Sequence, residues 1–132
     1  MGQPAAALGD AIVATDLHIV MVPSPGGPVP TPLPHPFAGT ITGGVSADVR
    51  VMGRAAATVG STADNQPPHL PMPPGTMFQK WPSNRATVQT GSATVFINGR
   101  AAARGGDLAL TCNDPVDLPN GTVVAAGSVL VG

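Results

Sequence analysis

Val45-Ser46-Ala47-Asp48-Val49-Arg50-Val51-Met52-Gly53-Arg54-Ala55-Ala56-Ala57 returns 46 residues later as Gly91-Ser92-Ala93-Thr94-Val95-Phe96-Ile97-Asn98-Gly99-Arg100-Ala101-Ala102-Ala103. Each copy is a run of β-favouring residues, a two-residue turn and a small-residue segment. Asn98-Gly99 is a strong signal for a two-residue hairpin, and Met52-Gly53 occupies the same place. The small-residue segments run on into Gly60-Ser61 and Gly106-Asp107, which read as further turns, with Asp107 as a turn cap. An internal repeat constrains the architecture more than any single element does. This one predicts an all-β chain.

Partial copies sit at the two ends. Pro4-Ala5-Ala6-Ala7-Leu8-Gly9-Asp10 matches the back half of the unit, and Gly127-Ser128-Val129-Leu130-Val131-Gly132 matches the front half. If the fragments join, they complete a third unit. The expectation is then approximate threefold internal symmetry with neighbouring termini, in one domain over residues 1–132. Two proline-rich insertions, about 22–39 and 66–82, separate the units. Their composition predicts extended, partly polyproline II surface loops.

Composition narrows the function classes. The 132 residues hold 17 Gly, 16 Pro, no Tyr, no Glu and one Lys, and 10% are charged. Helix bundles draw their polar faces from Glu and Lys, so a bundle is excluded. A hydrophobic share of 42% with net charge −1 excludes a charge-rich disordered chain. Six basic residues spread from Arg50 to Arg104 form no cluster, so no nucleic-acid partner is expected. No Lys or Arg precedes the first apolar stretch, so no signal peptide is expected. Seven prolines from Pro23 to Pro36 exclude a spanning helix from the uncharged stretch between Asp16 and Asp48. With three Phe and one Trp, the core must come from small aliphatic residues. Such a core suggests support from a metal, an oligomer or a partner surface.

The metal-ligating inventory is small: His18, His35, His69 and Cys112 are all the histidines and the single cysteine. Three imidazoles and a thiolate make the four donors of a closed tetrahedral zinc site. His18 lies eight residues after Asp10, His69 eight after Ser61 and Cys112 five after Asp107, each following the turn of its own unit. His35 stands apart in Pro34-His35-Pro36. Taken singly, a loop histidine is a solvated side chain and a lone cysteine a small hydrophobe; the shared placement of His18, His69 and Cys112 argues for a site, with His35, which has no counterpart in the repeat, as its weakest member. An ion there would tie segments 17, 34 and 43 residues apart. No nucleophile elbow, phosphate loop or dinucleotide fingerprint is present, and no His or Met follows Cys112 as a copper site would want.

These segments, from Pro4 to Asp10, Gly53 to Ala57 and Asn98 to Asp107, resemble the proline-alanine-alanine-arginine repeats of PAAR-domain proteins, and the likeness covers nearly the whole chain. The family pattern normally has its Cys after the second repeat and a His after the third; here the two are exchanged. The resemblance implies a short β-cone with pseudo-threefold symmetry and zinc bound near its apex by His18, His35, His69 and Cys112. It also implies a non-enzymatic role: one copy caps a trimeric VgrG-like spike of a type VI or related contractile injection system and aids membrane puncture. Assembly would be cytoplasmic, followed by release with the spike. The base would draw on Val129 and Val131. Two other roles compete with this one: an adaptor that loads effector cargo, and a small zinc-dependent hydrolase with an open metal position.

Overall fold

Alanine stands where three remote segments of the chain converge. In the structure, a computed structural model that describes residues 2–132, the Ala6 N–H donates to the Ala103 carbonyl (2.9 Å). Ala103 donates to Ala57 (3.0 Å), and Ala57 donates back to Ala6 (3.0 Å). A second set runs round in the opposite sense: Leu8 to Ala55, Val59 to Ala101 and Gly105 to Pro4, at 2.8–2.9 Å. Single bridges pair Ala7 with Ala56, Thr58 with Ala102 and Arg104 with Ala5. Each segment exchanges hydrogen bonds with both of its neighbours, so one chain closes a threefold ring. Ala6, Ala57 and Ala103 are 1% exposed and face one apolar cluster. Ala5, Ala7, Ala56 and Ala102 face a second cluster. Three backbones one hydrogen bond apart leave room for little more than a methyl group.

The strands follow in three sets. The first holds β1 (Gln3–Pro4), β2 (Ala11–Val22) and β3 (Val29–Gly43). The second holds β4 (Arg50–Val51), β5 (Arg54–Ala55), β6 (Thr62–Asn65), β7 (Met77–Phe78) and β8 (Arg85–Val88). The third holds β9 (Phe96–Ile97), β10 (Arg100–Ala101), β11 (Leu108–Thr111), β12 (Leu118–Val124) and β13 (Leu130–Val131). No helix occurs among the described residues.

On one side of the ring lie three two-stranded ribbons. Two are hairpins, β4–β5 and β9–β10, turned by Met52-Gly53 and Asn98-Gly99. All four turn residues have positive φ (51° and 83°, 53° and 81°), the requirement of a type I′ turn. The third ribbon is β1 against β13, with Gln3 opposite Val131 and Pro4 opposite Leu130. The terminal fragments therefore complete the third unit, as their sequences predict.

On the other side the chain turns outward three times, at Gly9, Gly60 and Gly106. Their φ values of 94°, 98° and 91° suit glycine alone. A side chain caps each turn: the Asp10 carboxylate accepts the Ala7 N–H (2.9 Å), Ser61 Oγ the Thr58 N–H (2.9 Å) and the Asp107 carboxylate the Arg104 N–H (2.7 Å). Six antiparallel strands then close a barrel in the order β2–β3–β6–β8–β11–β12, with β12 returning to β2 through Val123 opposite Ile12. Ile12, Ile41, Ala63, Val88, Ala109 and Val123 fill it.

β2 and β3 outrun the barrel as a long ribbon, to Val22 opposite Val29, and β7 adds to β2 at Val20 opposite Phe78. The first insertion is thus extended, but as strand rather than loop. Pro30, Pro32, Pro34 and Pro36 alternate along the exposed face of β3, while His35 and Phe37 face inward. The alternation puts prolines where no N–H need reach β2. β6 pairs with β3 only from Gly39 onward. The free edge before it is guarded by prolines that cannot template another strand. The second insertion remains largely loop.

The ring yields a direct test. Ala57→Leu should lower unfolding stability by about 1–3 kcal/mol or more through overpacking, whereas Ala47→Leu, at an exposed position, should stay within about 0.5 kcal/mol of the parent. Urea unfolding followed by far-UV circular dichroism measures both. Equal midpoints for parent and Ala57→Leu would refute a closely packed axis.

Candidate metal centre

A strand that alternates presents every second residue to the same face. Along β2 the inward residues are Ile12, Ala14, Asp16, His18 and Val20. Pairing with β12 covers Ala11 to Val13 only; beyond it the inward face turns polar, with Asp16 and His18. β3 sets His35 opposite Asp16 and Phe37 opposite Ala14. His69 comes from the loop after β6, its N–H held by Asn84 Oδ1 at 2.8 Å. Cys112 directly follows β11. All four residues named from the sequence are buried in one chamber. The three imidazoles pack edge to face, with ring centroids 5.4 Å (His18–His35), 5.0 Å (His18–His69) and 5.6 Å (His35–His69) apart. Phe37 and Phe78 wall them in.

Within the chamber a tighter group stands out. Asp16, His18, His69 and Cys112 each offer a donor atom, and these atoms all lie within 4.8 Å of one another. Asp16 Oδ2 is 2.9 Å from His69 Nε2 and accepts from Cys112 Sγ at 3.4 Å; Oδ1 accepts the Thr111 hydroxyl at 2.6 Å. Asp16 is absent from the set expected from the sequence. The signal for it is its place two residues before His18 on a strand, which puts both on one face. His35 stands beside the group. Its Nδ1 donates to the Leu33 carbonyl (2.8 Å), and its Nε2 accepts the Met72 N–H (3.1 Å).

His18 is the opposite case. It is fully buried, and neither ring nitrogen has a hydrogen-bond partner. Its Nδ1 lies 3.5 Å from Asp114 Oδ2, which accepts the Ile19 N–H at 2.8 Å. Leaving such a group unsatisfied costs about 1–3 kcal/mol, unless a ligand takes the lone pair. Burial pushes the His18 pKa below its ordinary value, against the pull of Asp114, and burial does the same to His35. Burial thus favours the uncharged ring at both positions, and at His18 no hydrogen bond occupies the lone pair. Burial, with Asp16 beside it, pushes the Cys112 thiol up to about 11; a bound cation reverses that, because metal ligation replaces the thiol proton. The donor set of imidazole, thiolate and carboxylate fits a divalent metal of intermediate softness. A small cavity of about 100 Å³, lined by His18, Cys112, Asp114, Lys80 and Trp81 among others, leads toward the group from outside.

A family model described as the PAAR motif matches residues 21–117. No curated protein and no solved structure matches the chain. The matched span runs from the end of β2 through the second and third units and takes in His35, His69 and Cys112. Together with the closed threefold ring, the alanine-rich crossings and the helix-free barrel, it shows that the chain belongs to the PAAR-motif family.

Proposed function

We propose that the protein is a non-enzymatic spike tip: one copy caps a trimeric VgrG-like spike of a contractile injection system, and zinc closes the far end of the cone. The observation that carries this reading is the closed threefold ring built by a single chain. A monomer that seats on a trimer must offer each subunit a like surface, and the three ribbons do so. Arg50, Phe96 and Leu130 occupy equivalent places on them, and Phe96 and Leu130 are 60% and 61% exposed. Met52 and Val129 add exposed apolar surface, whereas Val131 packs inside. Exposed side chains of this size beside a small apolar cluster suit a covered face.

At the other end the chain's own residues supply rigidity. His18, His69 and Cys112 belong both to the set implied by the family and to the close donor group, and we assign them to the ion. Bound zinc supplies a cross-link between β2, the second insertion and the end of β11. By analogy with a disulfide over loops of this length, it is worth about 3–5 kcal/mol. A tip assembled in the cytoplasm and driven through a membrane needs that stiffness at its apex, where the core is thin and the loops are long.

Two measurements test the reading. Purified protein should carry about one zinc per chain, and removal by a chelator should lower the Tm by roughly 10–20 °C; metal-free protein with unchanged Tm would overturn the zinc assignment. Mixed with its cognate trimeric spike protein, the chain should form a complex of one copy per trimer. Phe96→Asp combined with Leu130→Asp should abolish the complex while leaving circular dichroism and Tm near the parent's. Undiminished binding by that variant would remove the ribbons as the docking face.

A further inference from the structure

Asp16 is fully buried, and among the described residues its ion-pair partner is His69 alone. No Lys or Arg comes within ion-pair distance of it. A carboxylate is not tolerated there without a cation to meet it. The Thr111 hydroxyl occupies Oδ1 at 2.6 Å and aims Oδ2 at the histidines and the cysteine. Around tetrahedral zinc, with bonds of about 2.0 Å to nitrogen and oxygen and 2.3 Å to sulfur, neighbouring donors lie about 3.3–3.6 Å apart. Asp16 Oδ2 is 3.4 Å from Cys112 Sγ and 2.9 Å from His69 Nε2. The Asp16–Cys112 edge is thus at its working length, and the Asp16–His69 pair, now at hydrogen-bond distance, has to open by about 0.4 Å.

His35 offers no such vacancy. Both of its nitrogens are engaged, and ligation through Nε2 would strip the Met72 N–H of its acceptor. Distance points the same way: the donor atoms of Asp16, His18, His69 and Cys112 all lie within 4.8 Å of one another, and His35 is not among them.

We propose that Asp16 is the fourth ligand, completing a set of His18, His69, Cys112 and Asp16, with His35 as a wall residue that anchors the Met72 loop. The proposal rests on the metal reading given above, and its test separates the two. X-ray absorption at the zinc edge of the unaltered, metal-loaded chain should fit one sulfur and three nitrogen or oxygen donors, with multiple scattering from two imidazoles. Three imidazoles would overturn the Asp16 assignment and leave the metal reading standing; a chain that takes up no zinc or cobalt would end both. In cobalt-substituted protein, Asp16→Asn should shift or abolish the tetrahedral visible bands and weaken cobalt binding at least tenfold, whereas His35→Gln should retain bands and stoichiometry. Parent-like bands and affinity in Asp16→Asn, or lost bands in His35→Gln, would also overturn it.

Discussion

The backbone bonds that run from Ala6 to Ala103, from Ala103 to Ala57 and from Ala57 to Ala6 join residues 97, 46 and 51 apart in the chain. None is local, and none is complete until the whole chain is in place. Everything else is hung from them. On one side each crossing segment continues from a ribbon strand, so the ring sets the ribbons at three equivalent places. On the other side each enters a glycine turn and then a barrel strand, so the ring also sets the barrel's origin. The demand on sequence is severe but narrow: methyl-sized side chains at the crossings, glycine at the turns and a short oxygen-bearing cap behind each turn. These are the features that repeat.

A ring of alanines has a structural cost. Alanine buries little apolar area, and hydrophobic stabilisation scales with that area. Ala63, Ala86 and Ala109 continue the small-residue pattern into the barrel, and larger groups such as Ile12, Ile41 and Phe37 are few. The fold compensates with connectivity. Each barrel strand has a neighbour on both sides, the terminal strands pair with each other, and Arg104 ties its own turn to the chain end by donating to Asp107 and to the Gly132 carbonyl. The polar chamber beyond the barrel belongs to the same logic. Where apolar material runs out, side chains that bind one another, or one ion, take over the task of holding the strands together.

How much of this is legible in the sequence depends on whether the signal is local. The hairpins at Met52-Gly53 and Asn98-Gly99, the turns after the alanines and the meeting of the termini all follow from short patterns and their repetition. The strand from Val29 to Gly43 does not, because proline composition speaks for loops and only the period of the prolines speaks for a strand. Pro30, Pro32, Pro34 and Pro36 alternate with Thr31, Leu33, His35 and Phe37, which is the two-residue period of a half-buried strand. Once β2 is a strand, Asp16 joins His18 on its face. Without that assignment, a lone aspartate six residues beyond the Asp10 cap has nothing to mark it. That His35 has both nitrogens engaged depends on Met72, 37 residues away, and no reading of spacing reaches it.

The two ends of the molecule answer opposite symmetry requirements. A surface that meets a trimer gains from three like copies, and the ribbons supply them. A four-donor site cannot be threefold: identical units would deliver three or six equivalent donors around the axis. A chain that builds such a site has to break its own repeat before it reaches the chamber of Asp16, His18, His69 and Cys112, and the point of departure is visible. His18 and His69 hold the same place, eight residues after Asp10 and Ser61, but eight residues after Asp107 stands Pro115. The third unit contributes Cys112 instead, three residues earlier, where β11 ends. The insertions do the remaining work, since the long β2–β3 ribbon and the loop that carries His69 differ from one another and from the short third turn. Symmetry is kept near the ring, where a partner would read it, and lost with distance from it, where a four-donor site would need four different positions.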